Sequence, residues 1–153
     1  QITPAGELLL PDKFLSEEGL LNSTEAKPGD ILMVCIGGSI GKGVICDKRI
    51  AFNQQINAIS PLLIDPCFLQ IAVSTDLFYR SVLEKSTGSA TPIINRSKWE
   101  ELLIPTCATE EQHRIVAKVD ELMALCDQLK ARLSDAQSTQ LHLADAMAEQ
   151  AIA

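Results

Sequence analysis

The fold is decided by residues 31–46, which read ILMVCIGGSIGKGVIC. Ile31 to Ile36 is a near-continuous apolar run of strand length, and the turn signal Pro28-Gly29-Asp30 precedes it. Glycine occupies four of the next seven positions, Gly37 to Gly43, and Val44 to Cys46 is again apolar. This order predicts two buried strands joined by a tight glycine-rich turn.

The glycine-rich turn fits neither of two common nucleotide-binding patterns. A P-loop needs four residues between its first glycine and Gly-Lys, whereas three residues separate Gly37 from Gly41, and Gly43 follows Lys42 in place of Ser or Thr. The dinucleotide pattern fails because Cys46 stands where its third glycine belongs. Two interpretations remain: a plain turn between strands, or a close backbone approach to phosphate to which Lys42 adds charge.

Side-chain amides are concentrated in the sequence NQQIN, which starts at Asn53. Residues 51–60 are predicted as one strand. Strand alternation would place Asn53, Gln55 and Asn57 on one face, and Gln54 on the apolar face in a structural role. Amides on the first face either line a solvated surface or contact DNA, because Asn and Gln can hydrogen-bond adenine through both amide atoms.

Capping signals predict helices after this segment. Asp65 followed by Pro66 predicts one helix start, and Asp76 predicts the cap of a second helix. Ser97 with Glu100 fits a capping box for a short third helix. Residues 1–28 mix acids with Pro and Gly around a short apolar run, Leu8 to Leu10, and we expect loop and edge structure there.

Basic residues flank a loop of small residues, Gly88 to Thr91. They are Arg80, Lys85, Arg96 and Lys98. Small hydroxylic residues between basic ones suit phosphate contacts and the close approach of a duplex. Scattered surface charge is the other interpretation of this pattern.

The chain ends in a long helical pattern. Residues 102–105, Leu-Leu-Ile-Pro, are predicted as a last buried strand, and Thr109 with Gln112 forms a further capping box. Beyond it, apolar residues recur in alternating steps of three and four, which predicts a coiled-coil seam. Such a helix is about 60 Å long, too long for the preceding domain to cover, so we expect a partner helix. The residues expected to pair are Val119, Leu122, Cys126, Leu129, Leu133, Leu143 and Met147.

The net charge of −7 argues against a protein that simply coats DNA. Residues 1–30 carry two Lys against six acids, and residues 106–153 carry four basic residues against eight acids, so each end has a charge of −4. Residues 31–105 carry seven basic residues against six acids, a charge of +1. The middle of the chain can therefore meet phosphate.

Several classes of function lack their sequence signals. No segment is long and apolar enough to span a membrane, and we expect a cytoplasmic protein. The five cysteines are widely spaced and predict free thiols rather than a zinc site or disulfides, and neither His113 nor His142 has a metal-spaced neighbour. Asp-Pro-Cys-Phe at residues 65–68 differs by one residue from a motif of amino-methyltransferases, and no cofactor loop precedes it. We therefore expect no catalytic residues.

Taken together, these signals predict an α+β protein: a small mixed-sheet domain over residues 1–107, followed by one long coiled-coil helix over residues 108–153. The order of its motifs resembles the specificity subunits of type I restriction–modification systems. Four blocks look like successive parts of their recognition domains: Gly29-Asp30-Ile31-Leu32, Gly38 to Lys42, Asn53-Gln54-Gln55, and Gly88 to Ile94. Three more resemble the start of their repeat helix: Leu103-Ile104-Pro105, Glu110 to Val116, and Leu125 to Leu129.

The resemblance implies a function in selecting DNA. A whole subunit of this family holds two recognition domains, each reading one half of a split site, and two long helices that pair antiparallel as a spacer. Modification subunits dock there and methylate adenine with S-adenosylmethionine, and restriction subunits add ATP- and Mg-dependent translocation and cleavage. We expect this chain to be non-catalytic and cofactor-free, and to be one half of that plan, either the C-terminal half or a natural half-subunit.

The partners expected from the resemblance are double-stranded DNA, the modification and restriction subunits, and a second recognition half or a second copy of the chain. An adaptor that binds protein and no DNA is the alternative, and the acidity favours it. The candidate DNA-contacting residues are Ser39, Lys42, Asn53, Gln55, Arg80, Ser89, Thr91, Arg96 and Lys98.

Overall fold

The protein is described by a computed structural model that covers residues 2–3, 7–9, 11 and 13–152. The chain divides into two compact units, Gln1–His113 and Arg114–Ala153. The first unit holds small antiparallel sheets and short helices, and a long helix ends the chain. The predicted α+β class with a long terminal helix is confirmed, but the strand pairs in the described part of the chain are antiparallel, so the predicted mixed sheet is wrong.

The elements follow one another in the order of the chain. The strands are β1 (Thr24–Ala26), β2 (Ile31–Val34), β3 (Gly43–Ile45), β4 (Ile50–Phe52) and β5 (Ile56–Ile59). The helices are α1 (Glu17–Leu21), α2 (Pro66–Val73), α3 (Asp76–Lys85), α4 (Arg96–Glu100) and α5 (Thr109–Ile152). The loop and edge structure expected for residues 1–28 thus includes a short helix and a strand.

Strand β2 is the centre of the first unit. It pairs antiparallel with β3 on one side and β5 on the other, while β1 and β4 form a separate two-stranded sheet. Its side chains alternate between two hydrophobic clusters: Ile31 and Met33 lie in one, and Leu32 lies in the other. Both faces of β2 are therefore covered, which explains why the sequence here is a continuous apolar run rather than an alternating one.

The single strand predicted for residues 51–60 is wrong. The structure ends β4 at Phe52, turns through Asn53 to Gln55, and begins β5 at Ile56. The two strands belong to different sheets, so the chain must change direction between them. The alternation argument consequently fails, and Gln54 is exposed instead of lying on an apolar face.

The strand predicted at residues 102–105 is also absent from the structure. Leu102 and Ile104 pack against the main core cluster, whereas Leu103 is 89% exposed. The segment is apolar because alternate side chains cover the core, and it does so without pairing to a strand.

The capping residue was predicted correctly for α2, and it was predicted one or two residues too late for α3 and α4. Asp65 caps α2, and its carboxylate accepts a hydrogen bond from the N–H of Phe68 at 2.9 Å. The cap of α3 is Thr75 rather than Asp76, and the cap of α4 is Asn95 rather than Ser97. In both helices the residue that caps is the last one with extended backbone.

The capping box predicted at Thr109 and Gln112 is wrong as well. Gln112 is 2% exposed, and its side chain accepts from the N–H of Asp65 at 2.8 Å and donates to the carbonyl of Cys107 at 2.8 Å. The amide therefore joins the start of α5 to the start of α2. The nearby His113 imidazole lies 3.8 Å from the Asp65 carboxylate.

The second unit consists of α5 after residue 113. Every residue from 120 to 151 of this helix is exposed. The exposed side chains include Leu122, Leu129, Leu133, Leu143 and Met147 of the predicted seam, with exposed fractions of 49% to 63%. In the part of the chain that is described, no helix combines the length and apolar character that crossing a membrane requires.

Candidate nucleic-acid interface

Three loops from distant parts of the sequence meet at the carboxyl end of β2. The N–H of Cys35 donates to the carbonyl of Gln55 at 2.8 Å, and the carbonyl of Cys35 accepts from Ile94 at 3.1 Å. The N–H of Gly37 donates to the carbonyl of Pro92 at 2.9 Å. These bonds bring the glycine-rich loop (residues 37–42), the amide turn (residues 53–55) and the small-residue loop (residues 88–92) together.

The glycine-rich loop is a tight connection between β2 and β3. Val34 exchanges backbone hydrogen bonds of 2.9 Å with Gly41 and Lys42, and Gly37 and Gly41 have positive φ angles of 86° and 79°. A Cβ at Gly41 would lie 3.0 Å from the Tyr79 ring, so the loop also needs glycine there for close packing against α3. The loop thus has the tight turn geometry that both interpretations of the sequence require.

The small-residue loop closes on itself. Thr87 and Ile93 exchange two backbone hydrogen bonds of 2.8 Å, so the residues between them project as a hairpin tip. Ser89, Ala90 and Thr91 are all exposed at this tip.

The nine candidate residues divide between loops and helices. Six of them, Ser39, Lys42, Asn53, Gln55, Ser89 and Thr91, lie on the three loops that the structure brings together. Arg80 lies on α3, next to the Tyr79 that packs against Gly41. Arg96 and Lys98 lie on α4, which begins just after the Ile94 that is bonded to Cys35.

Charge is distributed unevenly among the basic candidates. Arg80 is paired with Asp76 at 2.7 Å, and Arg96 is paired with Glu100 at 2.7 Å. The hydrogen bond to Glu100, together with its charge, raises the pKa of the Arg96 guanidinium. Among the described residues, Lys42 and Lys98 form no ion pair. Both lysines are therefore free to approach an anion.

The three loops contain no acidic residue. In this chain of net charge −7, residues 31–46, 50–64 and 86–99 lack Asp and Glu altogether. The loops present hydroxyl groups, amides, main-chain atoms and Lys42 instead. An anionic surface can therefore approach this end of β2 without meeting a carboxylate on the loops themselves.

A groove of about 520 Å³ adjoins the glycine-rich loop, between that loop and helices α2 and α3. Lys42 and Asp76 both line it, so its charge is mixed. The Gln70 amide nitrogen donates to the carbonyl of Gly43 at 2.8 Å and to the Ser74 hydroxyl at 3.1 Å. Because Asp76 faces the same space, this groove suits an anion less well than the exposed loop tips do.

Cys35 lies buried beneath the three loops. Burial raises the pKa of its thiol to about 11. The thiol therefore stays protonated at neutral pH and is a poor nucleophile and metal ligand. No group of three or more His, Cys, Asp or Glu side chains within the described ranges could hold a metal ion.

The structural role predicted for Gln54 on an apolar face is wrong, because Gln54 lies in the turn. The Asn53 side-chain oxygen accepts from the N–H of Gln55 at 3.0 Å, so Asn53 shapes the turn, whereas Gln54 is exposed and makes no side-chain hydrogen bond to another described residue. The signal for this was present, because Asn commonly bonds the backbone two residues further on in turns.

Comparison with known proteins identifies the family. The family model described as type I restriction modification DNA specificity domain matches residues 15–136. The chain is 38% identical over 106 residues to the specificity subunit of the type I restriction enzyme EcoAI from Escherichia coli, which covers 69% of this chain and 17% of that subunit. It is 31% identical over 140 residues to the EcoEI specificity subunit from the same organism, covering 84% of this chain and 23% of the subunit.

A third relative supports the same assignment. The EcoBI specificity subunit of Escherichia coli is 30% identical over 117 residues, covering 74% of this chain and 24% of the subunit. The chain spans about a fifth of the length of these curated relatives. The matches are to specificity subunits, in agreement with the prediction of a non-catalytic chain. The protein belongs to the family of type I restriction modification DNA specificity domains.

Proposed function

We propose that this chain recognises one half of a bipartite DNA target for a type I restriction–modification complex. The observation that carries the proposal is the meeting of three acid-free loops at one end of β2. Loop hydroxyls, main-chain N–H groups and Lys42 suit phosphate contacts, which position a protein on the duplex. The amides suit base edges in the major groove, which carry the sequence information.

The paired and unpaired basic residues have different parts in this proposal. Lys42 and Lys98 contact phosphate, because neither is within ion-pair distance of a carboxylate in the described part of the chain. Arg80 and Arg96 contribute less, since each would have to leave a carboxylate partner at 2.7 Å to reach DNA. Removing a lysine should therefore weaken DNA binding more than removing an arginine.

The second unit serves in the same proposal as spacer and docking element. Its seam residues are exposed, and burying one Leu or Met side chain contributes roughly 1.5–3 kcal/mol. A second long helix, from another recognition half or from another copy of the chain, would cover the seam. Modification and restriction subunits would then assemble on the paired helices and supply the S-adenosylmethionine, ATP and Mg chemistry.

Salt-dependent DNA binding tests the recognition part of the proposal. The affinity of the 153-residue chain for duplex DNA, measured by fluorescence anisotropy at several salt concentrations, should fall steeply on a log–log plot. Replacing Lys42 with Ala removes one phosphate contact, so the slope should become shallower by about 1 while affinity falls for every duplex sequence. Arg96→Ala should have a smaller effect.

The matched control is Lys27→Ala. Lys27 is exposed, and its ammonium group forms no ion pair with another described residue, although its main-chain N–H donates to the Asp30 carboxylate at 2.7 Å. It precedes β2, at the end of the strand opposite the loops. The control should therefore keep the parent slope. Equal slopes for Lys42→Ala and Lys27→Ala would contradict the position of the interface. DNA binding that is absent or insensitive to salt would contradict the proposed function and favour a protein-binding adaptor.

A further inference from the structure

We infer that Gln54 is a specificity-determining residue that reads an adenine in the major groove of the bound duplex. The inference rests on the proposed function and assigns one base contact within it. It assigns the base contact to Gln54 rather than to Asn53 or Gln55, the two candidates on the face that strand alternation favoured. The argument depends on which amide in the turn has both its donor and its acceptor available.

The amide oxygen of Asn53 already accepts one hydrogen bond within the turn. This oxygen accepts from the N–H of Gln55 at 3.0 Å, and the Asn53 carbonyl accepts from Ile56 at 3.0 Å. The two bonds make Asn53 the first residue of a closed turn. A two-point contact with adenine needs the amide oxygen and the amide nitrogen together. The turn hydrogen bond fixes the orientation of the Asn53 amide, so Asn53 is less free than Gln54 to align that pair with a base edge.

Gln54 keeps both amide atoms free. Its side chain is exposed and forms no hydrogen bond with any residue that the structure describes. It occupies the second position of the turn, between the two residues whose backbones are tied down. The backbone beneath it is therefore held in place while its amide faces solvent.

Gln55 is a weaker choice for the same contact. Its side chain is also exposed, but its carbonyl accepts from Cys35 at 2.8 Å and its N–H donates to Asn53. Both main-chain groups of Gln55 are thus hydrogen-bonded, and the bond from Cys35 keeps this residue against the end of β2. Gln54 has no such tie among the described residues, and it forms the tip of the turn.

The surroundings of the turn suit a base edge. The other two loops at this end of β2 carry Ser39, Ser89, Thr91 and Lys42, and none carries a carboxylate that would compete for the Gln54 amide nitrogen or repel phosphate. In such a setting the amide donates to N7 of adenine and accepts from its N6 amino group.

Selection from a randomised pool of duplexes tests the inference. The 153-residue parent chain, Gln54→Ala and Gln54→Glu each select bound duplexes, which are then sequenced. The parent should require adenine at one position, and Gln54→Ala should lose that preference by about 5- to 150-fold while the other positions keep theirs. Gln54→Glu keeps the acceptor and loses the donor, so its preference should move towards cytosine.

Two further variants separate base reading from structural and charge effects. Asn53→Ala removes the turn hydrogen bond, so it should lower the urea midpoint of unfolding and weaken preference at every position. Gln54→Ala should leave that midpoint unchanged. Gln128→Glu adds the same charge on the second unit, and its selected sites should match those of the parent.

Each contrary outcome has a definite meaning. If Gln54→Ala selects the parent site unchanged, or loses affinity equally at all positions, the inference is overturned and DNA recognition stands. If the position that changes is not an adenine, the assigned contact is overturned. If the parent enriches no site at all, the proposed function fails and this inference fails with it.

Discussion

Among the described glycines, Gly88 has the least room for a side chain. Its φ is 91°, and a Cβ there would lie 2.5 Å from the carbonyl oxygen of Thr91. We predict that Gly88→Ala lowers the free energy of unfolding by about 1–3 kcal/mol, because the loop must either accept a strained backbone or open. Urea unfolding followed by circular dichroism measures this loss.

Gly38 provides the matched control for that change. It lies in the glycine-rich loop outside the left-handed region, and no atom would come within 4 Å of an added Cβ. Gly38→Ala should therefore alter the free energy of unfolding by no more than about 0.5 kcal/mol. Equal losses for the two variants would show that the Gly88 loop is not held as the structure has it.

The sequence predicted which segments form the candidate site, but it did not predict the individual contacts within the site. The sequence pointed to the segments that contain Lys42, Asn53 and Thr91, because glycine, amide and hydroxyl groups are concentrated there. It could not show that the Asn53 amide oxygen accepts a hydrogen bond from the N–H of Gln55, because the partners of this side chain differ between a strand and a turn. Nor could it show which basic residues are neutralised, because ion pairing depends on rotamers as well as spacing.

Among the elements, the short helices show where sequence signals are ambiguous. Thr75 and Asp76 are adjacent, and either could cap α3, just as Asn95 and Ser97 could both precede α4. The choice depends on where the backbone leaves the extended conformation, which is after Thr75 for α3 and after Asn95 for α4. Capping motifs therefore predicted that helices exist here, and placed their starts to within one or two residues.

The start of α5 is held by Gln112, and we predict that Gln112→Ala lowers the free energy of unfolding by about 1–3 kcal/mol. The change would leave the N–H of Asp65 and the carbonyl of Cys107 without their partner in a partly buried place. The loss should appear in urea unfolding of the first unit, followed by the fluorescence of Trp99.

An exposed glutamine on the same helix is the control. Gln128 is exposed in the second unit, and Gln128→Ala should change the free energy of unfolding by no more than about 0.5 kcal/mol. A Gln112→Ala variant as stable as this control would mean that the two hydrogen bonds contribute nothing net.

For the whole molecule, the fold class followed from patterns that have one simple physical cause. The apolar run at β2 reflects a strand whose two faces are covered by the core clusters, and the repeat from Val119 to Met147 predicts a second surface that a partner helix would cover. The run at residues 102–105 has the same cause, yet it is not a strand. A short apolar segment can cover a core in any extended form, so its pattern alone does not show hydrogen-bonded pairing.

The exposed seam of α5 leads to a prediction about assembly. We predict that Leu129→Asp together with Leu133→Asp prevents the chain from pairing with a second helix, because two carboxylates would be buried in an apolar contact. Analytical ultracentrifugation should show the parent as a dimer, or co-purification should show it bound to a second recognition half. The double variant should be monomeric, with the circular dichroism of its first unit intact.

The control places the same two charges away from the seam. Gln128→Asp with Ala131→Asp changes positions that the repeat of three and four leaves on the other side of the helix. This variant should pair like the parent. A parent that stays monomeric at micromolar concentration and binds no second half would contradict the pairing.

The bonds that join the three loops to β2 are made by main-chain atoms alone. Cys35, Gly37, Gln55, Pro92 and Ile94 all contribute backbone groups, which remain whatever side chains the loop tips carry. The tips at Ser39, Gln54, Ser89 and Thr91 can therefore change residue type without loosening the frame that presents them. Under the proposed function, point substitutions at the tips would therefore change the target sequence while the backbone frame that presents them stays as it was.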